Sequence, residues 1–209
     1  MKIKFASLVA TAATALFATQ VQAGSLVEGS AEDGKARALT CTACHGPEGN
    51  SVSAMWPNIA GQNAPYLLAQ LKAFKDGTRT DPLMSSQAML LSDQDMADLA
   101  VYFESLPGAA QAVKDASLVD RGESLYQGGN VDKGVTACLA CHGPSGNGNP
   151  AAQYPAIKGQ HADYTAKQLR DYAAGTRTTD GKTRIMRDIA ASLSAEDIEA
   201  LSSYVQGLR

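Results

Sequence analysis

The sequence predicts an all-α fold made of two similar halves. Apolar residues recur at helical spacing in several segments, and strand-like alternation persists nowhere in the 209-residue chain. A series of short motifs also occurs twice in the same order, which indicates an internal duplication. The boundary falls near residues 106–110, so we expect a first domain over residues 24–108 and a second over residues 113–209.

The amino-terminal segment, residues 1–23, has the pattern of a secretory signal peptide. Two lysines precede an apolar stretch from Phe5 to Phe17, which is too short to span a bilayer, and small residues follow as far as Ala23. We expect cleavage after Ala23, with an uncleaved membrane anchor as the alternative. Since no other segment is apolar enough to cross a membrane, the expected compartment is the bacterial periplasm.

Each half is predicted to contain three helical segments. In the first half a short helix runs into a cysteine motif, a second helix spans 64–75, and a third begins at Ser92. Ser92 opens a variant of the capping box, and Ser194 opens its equivalent in the second half. The third helix of each half is expected to bury one apolar stripe. The stripe residues are Met96, Leu99, Ala100 and Phe103 in the first half, and Ile198, Leu201, Val205 and Leu208 in the second.

The pentapeptide Cys-x-x-Cys-His carries the strongest chemical signal. The two copies, which use all four cysteines and two of the three histidines, are Cys41-Thr-Ala-Cys44-His45 and Cys138-Leu-Ala-Cys141-His142. Two thiols one helical turn apart can add to the two vinyl groups of one haem, and the next imidazole then reaches the iron. The duplicated motif therefore predicts two covalently bound haem c groups.

Three other uses of the cysteines are the alternatives. A zinc site is disfavoured because the two pairs lie nearly a hundred residues apart and the histidines would have no role. A thioredoxin-like redox pair needs a preceding strand in a βαβ context, which neither segment offers. Structural disulfides are possible in an oxidising compartment, but they leave both motif histidines unexplained.

The second axial ligand of each iron is predicted to be a methionine. The repeat singles out Met84 and Met186, because each lies seven residues before the Leu-Ser pair that opens the third helix. Met89 and Met96 have no methionine counterpart and are interpreted as core residues, while Met55 aligns with a gap. An iron with His and Met on its two faces has no open position for a substrate, which is typical of electron transfer.

The charge of the chain is unevenly distributed between its halves. Residues 24–115 contain six basic and eleven acidic side chains, a net charge of −5, whereas residues 116–209 contain ten of each. This balance argues against nucleic acid as a partner and favours an oriented encounter with a charged protein surface.

The sequence resembles the cytochrome c4 family of dihaem proteins. The resemblance rests on both Cys-x-x-Cys-His-Gly-Pro motifs, both Pro-x-Ile-x-Gly-Gln segments and both methionine–Leu-Ser helices, and it covers essentially all of the mature chain. It implies two class I cytochrome c domains in tandem, related by a pseudo-twofold axis, with the haem edges close together at the domain interface.

The resemblance also implies roles for residues around each haem. The carbonyls of Pro57 and Pro155 would accept a hydrogen bond from Nδ1–H of His45 and His142 respectively, fixing each ring. The side chains expected beside the haem propionates are Arg79, Arg177, Trp56, Tyr154, Tyr66 and Tyr164. His161 matches Asn63 in the repeat and is expected to be a surface or interface side chain with no symmetric role.

The function expected from this arrangement is electron transport, not enzymatic catalysis. The resemblance implies a periplasmic carrier that takes electrons from a quinol-oxidising complex and passes them towards a terminal oxidase. The two reduction potentials are expected to differ, because the two halves differ in charge. The alternative is the cytochrome subunit of a flavocytochrome c sulfide dehydrogenase-like enzyme. A dihaem peroxidase or thiosulfate dehydrogenase would need one iron without a Met ligand, which the paired Met84 and Met186 disfavour.

Overall fold

A computed structural model describes residues 25–209, and the predicted signal peptide over residues 1–23 lies outside them. Within the described residues the regular structure is helical, with two isolated β-bridges and no strand. The helices of the first half are α1 (Ala31–Arg37), α2 (Thr42–His45), α3 (Ala64–Asp76), α4 (Pro82–Met89) and α5 (Asp93–Glu104). Those of the second half are α6 (Val119–Gly128), α7 (Leu139–His142), α8 (Ala162–Ala173), α9 (Ile185–Ala191) and α10 (Ala195–Gly207). None of the described helices is long and apolar enough to cross a membrane.

The two halves repeat one packing scheme. The first helix of each half crosses the last, as α1 packs on α5 and α6 packs on α10, and the last helix also contacts α3 or α8. A glycine sits at each crossing: a Cβ on Gly34 would lie 2.1 Å from the carbonyl oxygen of Asp98, and one on Gly122 would lie 2.4 Å from that of Ala200. Only glycine therefore permits this backbone approach.

The last helix of each half begins and packs as the sequence predicts. Ser92 and Asp95 form a reciprocal capping box at the start of α5, and Ser194 and Asp197 form one at the start of α10. The predicted stripe of α5 is fully buried, with exposures between 0 and 4%. In α10 three of the four stripe residues are buried, and Leu208 at its end is partly exposed.

The prediction of three helical segments in each half is wrong, because the described residues of each half form five α-helices. The short helices α4 and α9, which contain the two predicted methionine ligands, were not anticipated. Helix α4 begins at Pro82, and the side chain of Asp81 accepts the amide hydrogens of Leu83 and Met84 at 3.0 Å each. An acidic N-cap followed by proline at the first helical position explains why so short a helix forms.

Two glutamines join the two halves by mirrored hydrogen bonds. Gln62 donates to the carbonyl of Ala156 at 2.7 Å and accepts its amide hydrogen at 2.8 Å. Gln160 makes the equivalent pair with Asn58, at 2.8 and 2.9 Å. Because Gln62 and Gln160 close the two Pro-x-Ile-x-Gly-Gln segments, the interface is built from the repeat itself, as a pseudo-twofold relation requires.

The third histidine also lies in this interface. His161 is 7% exposed, and its Nε2 lies 2.9 Å from the carbonyl oxygen of Ser51 in the other half. Its repeat counterpart, Asn63, donates across the interface to the carbonyl of Tyr154 at 2.8 Å. The expectation that His161 is an interface side chain is therefore confirmed, but the expectation that it has no symmetric role is wrong, since both equivalent positions bind the opposite half.

Candidate functional site

The first Cys-x-x-Cys-His segment presents its histidine in one orientation. The motif coils into α2, where the His45 amide donates to the Cys41 carbonyl at 2.9 Å, so Cys41 and Cys44 lie one turn apart. The Nδ1 atom of His45 lies 2.8 Å from the carbonyl oxygen of Pro57. A carbonyl oxygen can only accept a hydrogen bond, so Nδ1 carries the hydrogen and the Nε2 lone pair is left for a metal.

The second segment repeats this geometry. Helix α7 contains His142, whose Nδ1 lies 3.0 Å from the carbonyl oxygen of Pro155. Both rings are buried, with exposures of 6% for His45 and 8% for His142. The pKa of each ring is lowered, because burial disfavours the charged form. The hydrogen bond to the proline carbonyl raises the pKa, but by less. Each imidazole is therefore neutral at neutral pH, as a metal ligand must be.

The surroundings of Cys41 and Cys138 are not those of a redox-active cysteine pair. The four cysteines form no disulfide with one another, and all four are partly buried. Burial raises the pKa of Cys41, and it raises that of Cys138 to about 11. Redox-active Cys-x-x-Cys pairs instead depend on a lowered thiol pKa, so the local environment disfavours that alternative.

The two predicted methionine ligands lie on equivalent short helices that are held differently. Met84 is in the first turn of α4, fixed by the Asp81 cap described above, and is partly buried. Met186 is in the first turn of α9, where Asp180 accepts the backbone amide of Arg187 at 2.9 Å and its Nε at 2.7 Å. Both methionines are thereby placed by an aspartate that precedes the helix.

The other methionines differ in their surroundings. Met96 is 0% exposed in the first core, as predicted. Met89 is 68% exposed at the end of α4, so its interpretation as a core residue is wrong. Met55 is 77% exposed in the loop before Trp56.

Two arginines from opposite halves share the same hydrogen-bond acceptors. The Gln70 side-chain oxygen accepts from Arg79 at 2.9 Å and from Arg177 at 3.0 Å. The Gln168 side-chain oxygen accepts from Arg177 at 2.7 Å and from Arg79 at 2.9 Å. The two guanidinium groups and two amide oxygens therefore form a closed ring across the interface, which we call the arginine ring.

Two tyrosines extend the arginine ring across the interface. Arg177 donates to the Tyr66 hydroxyl at 2.7 Å, and Arg79 donates to the Tyr164 hydroxyl at 3.0 Å. Each guanidinium also lies over an aromatic ring of its own half, 4.5 Å from the Phe74 centroid for Arg79 and 4.6 Å from the Tyr172 centroid for Arg177.

The arginine ring is an electropositive site without an acidic partner among residues 25–209. Neither Arg79 nor Arg177 takes part in any of the ion pairs of these residues. Burial alone would raise the pKa of Tyr66, but the positive charges of Arg177 and Arg79 outweigh it and hold that pKa below its usual value. The same potential would favour carboxylate groups, so the site fits the propionates of a haem.

The remaining predicted neighbours lie outside the ring. Trp56 and Tyr154, which precede the two prolines that bind the histidines, are partly buried, and neither side chain forms a hydrogen bond with the described residues. Conversely, no role beyond repeat equivalence was predicted for Gln70 and Gln168. Their recurrence nine residues before each arginine was the available signal.

Comparisons with known proteins agree with this geometry. The model of the family described as Cytochrome c matches residues 31–107 and 119–209. Cytochrome c4 of Pseudomonas aeruginosa is 50% identical over 180 residues, covering 86% of this chain and 89% of that protein. The crystal structure of reduced recombinant cytochrome c4 from Pseudomonas stutzeri superposes with a TM-score of 0.84 at 47% identity, covering 87% of this chain and 100% of the other. A protein of Stutzerimonas stutzeri named thiosulfate dehydrogenase electron acceptor is 33% identical, covering 80% of this chain and 78% of that protein.

Two cytochrome c segments, each with its own Cys-x-x-Cys-His and orienting carbonyl, define the class: a c-type cytochrome with two domains. The identities extend over most of both chains, so this chain belongs to the cytochrome c4 family. It accordingly carries two covalently bound haem c groups and serves in electron transfer.

Proposed function

We propose that the protein is a periplasmic electron carrier of a respiratory chain, taking electrons from a quinol-oxidising complex and passing them towards a terminal oxidase. The observation that carries the proposal is the paired orientation of His45 and His142, each held by a carbonyl so that Nε2 is free to bind iron. The signal-peptide pattern over residues 1–23 supports the compartment.

In this proposal each domain binds one haem through its own motif. Cys41 and Cys44 attach the first haem and Cys138 and Cys141 the second. Met84 and Met186 are the ligands opposite the two histidines. When bound, each haem supplies an iron that alternates between Fe(II) and Fe(III), at a potential that a Met ligand raises.

The protein's contribution is to hold the ligands and to place the two sites together. With one histidine and one methionine as its protein ligands, each iron would have no position left for a substrate. The arginine ring of Arg79, Arg177, Gln70 and Gln168 supplies donors for propionate carboxylates at the domain interface. Each arginine contacts acceptors from both halves, so the donors for the propionates of both haems lie at one interface. Haems held close to the same interface can exchange electrons readily.

The proposal is tested by electron delivery from the reduced holoprotein. Mixed with a membrane preparation containing a cytochrome c-oxidising terminal oxidase, both haems should be reoxidised rapidly, with a rate that falls as ionic strength rises. The control variant is Arg170→Gln, which changes an exposed side chain of α8 and leaves the residues expected around the two haems unchanged. Reoxidation no faster than in membranes with the oxidase inhibited would refute the terminal-oxidase route.

A second candidate is a carrier that accepts electrons from a sulfur-oxidising enzyme. Its support is the relative named thiosulfate dehydrogenase electron acceptor. A thiosulfate dehydrogenase with thiosulfate should then reduce the oxidised protein within seconds, while a quinol-oxidising complex should not. The opposite outcome supports the respiratory route from quinol.

A further inference from the structure

One hydroxyl group distinguishes the second haem site from the first. Tyr126, on α6, is 0% exposed, and its hydroxyl donates to the carbonyl oxygen of Gly143 at 2.6 Å. Gly143 directly follows His142, so the phenol binds the peptide next to the predicted iron ligand. Burial raises the pKa of Tyr126 above its usual value, so the hydroxyl keeps its hydrogen and remains a donor.

No side chain among residues 25–108 donates to the equivalent carbonyl of the first half, that of Gly46. The crossing glycines Gly34 and Gly122 lie against equivalent points of the last helices, with the Cβ atoms of Tyr102 and Tyr204 as neighbours, so they align the first helices. Four residues further on, the first half has Ala38 where the second has Tyr126. Ala38 is 2% exposed and has no side-chain donor.

The hydroxyl is not needed to shape the backbone. Gly143 has φ 77° and ψ 162°, and Gly46, which follows His45, has φ 81° and ψ 161° without a phenol beside it. Each glycine carbonyl also accepts the amide three residues on, at 3.1 Å in both halves. Because the same turn forms with and without the hydroxyl, the effect of Tyr126 is on charge distribution and not on conformation.

We propose that Tyr126 is a positioning residue that raises the potential of the second haem relative to the first. This inference rests on the proposed function, since it takes His142 to be the ligand of that iron. A carbonyl oxygen is the negative end of a dipole and stabilises Fe(III) nearby. A hydrogen bond donated to that oxygen offsets part of its negative charge, which favours Fe(II) and raises the potential.

The test is a spectroscopic redox titration of the holoprotein carrying Tyr126→Phe. We expect the potential of one haem to fall while that of the other is unchanged, with the Met-to-iron charge-transfer band retained. The variant Met186→His replaces the proposed methionine ligand of the second iron and should lower the potential of that haem. If Tyr126→Phe lowers the same potential, the affected haem is the second one. The matched control is Tyr204→Phe, since its ring packs 5.5 Å from that of Tyr126 and its hydroxyl forms no hydrogen bond with residues 25–209.

Two results would overturn the inference: both potentials unchanged in Tyr126→Phe, or the first haem shifted instead of the second. If Tyr126→Phe does not take up haem, 3-fluorotyrosine at position 126 alone keeps the ring and makes the hydroxyl a stronger donor. In that variant the potential of the second haem must rise while the potential of the first haem is unchanged. An unchanged potential of the second haem would again overturn the inference. A charge-transfer band missing from the unmodified protein would count against the proposed function instead, so the two failures are distinguishable.

Discussion

Removing the glutamine bridges should uncouple the two domains without unfolding either. Gln160→Ala deletes the two hydrogen bonds to the backbone of Asn58 and a local one from the His161 amide. Gln62→Ala deletes the two to Ala156 and a local one from the Asn63 amide. A hydrogen bond of this kind contributes about 1 kcal/mol net, so each variant should lose about 2–3 kcal/mol of the free energy of unfolding. The double variant should lose about 4–6 kcal/mol, because the two bridges share no partner.

The assay is urea unfolding of the holoprotein, followed in parallel by far-ultraviolet circular dichroism and haem absorbance. The double variant should unfold over a broader range of urea, or in two steps, because the weaker domain no longer gains from its neighbour. Gln127→Ala is the control: within residues 25–209 the side chain of this exposed glutamine bonds only Glu123, on its own helix, so its loss should cost less than about 0.5 kcal/mol. A loss of unfolding free energy in Gln160→Ala no larger than that in Gln127→Ala would refute a stabilising role for the glutamine bridges.

Two further predictions concern charged side chains. Asp197 is 2% exposed and accepts from Arg121 and Lys133, whose side chains are half-exposed, so Asp197→Asn should cost about 1–3 kcal/mol. Asp95→Asn should cost less than about 1 kcal/mol, because Asp95 is only partly buried and its partner Arg37 is exposed. Burial alone would raise the pKa of Asp197, but its hydrogen bonds hold that pKa well below its usual value. The stability that the Asp197 carboxylate contributes is therefore present above pH ~4 and is lost as the pH falls further. Acid unfolding at the same pH in Asp197→Asn and in the unmodified protein would contradict this pH dependence. Arg177→Gln should lower at least one haem potential, because a positive charge favours the reduced state, and unchanged potentials in a redox titration would argue against propionate binding at the arginine ring.

The features encoded locally were predictable from the sequence. The duplication, the capping boxes at Ser92 and Ser194 and the buried stripe of α5 each depend on residues within one segment, so spacing alone identified them. Helix α4 was not predicted, although Asp81 and Pro82 are a recognisable start, because its eight residues are too few for helical periodicity to show.

The contacts between the halves could not be read from the sequence. The sharing of Gln70 and Gln168 by two arginines depends on how the domains are rotated against each other, which no single segment determines. The same limit explains His161, since its acceptor, the Ser51 carbonyl, is a backbone atom 110 residues away. Repeat equivalence indicated which residues correspond, but not that corresponding residues meet across an interface.

In the proposed function each iron is closed by one histidine and one methionine. The most direct measurement is the optical spectrum of the oxidised holoprotein with Met84→Ala and Met186→Ala beside it. The unmodified protein should show two low-spin haems with the weak Met-to-iron charge-transfer band, and each variant should lose about half of that band, because one of two equivalent ligands is gone. A variant that keeps the whole band, or a high-spin haem that binds cyanide in the unmodified protein, would contradict the account.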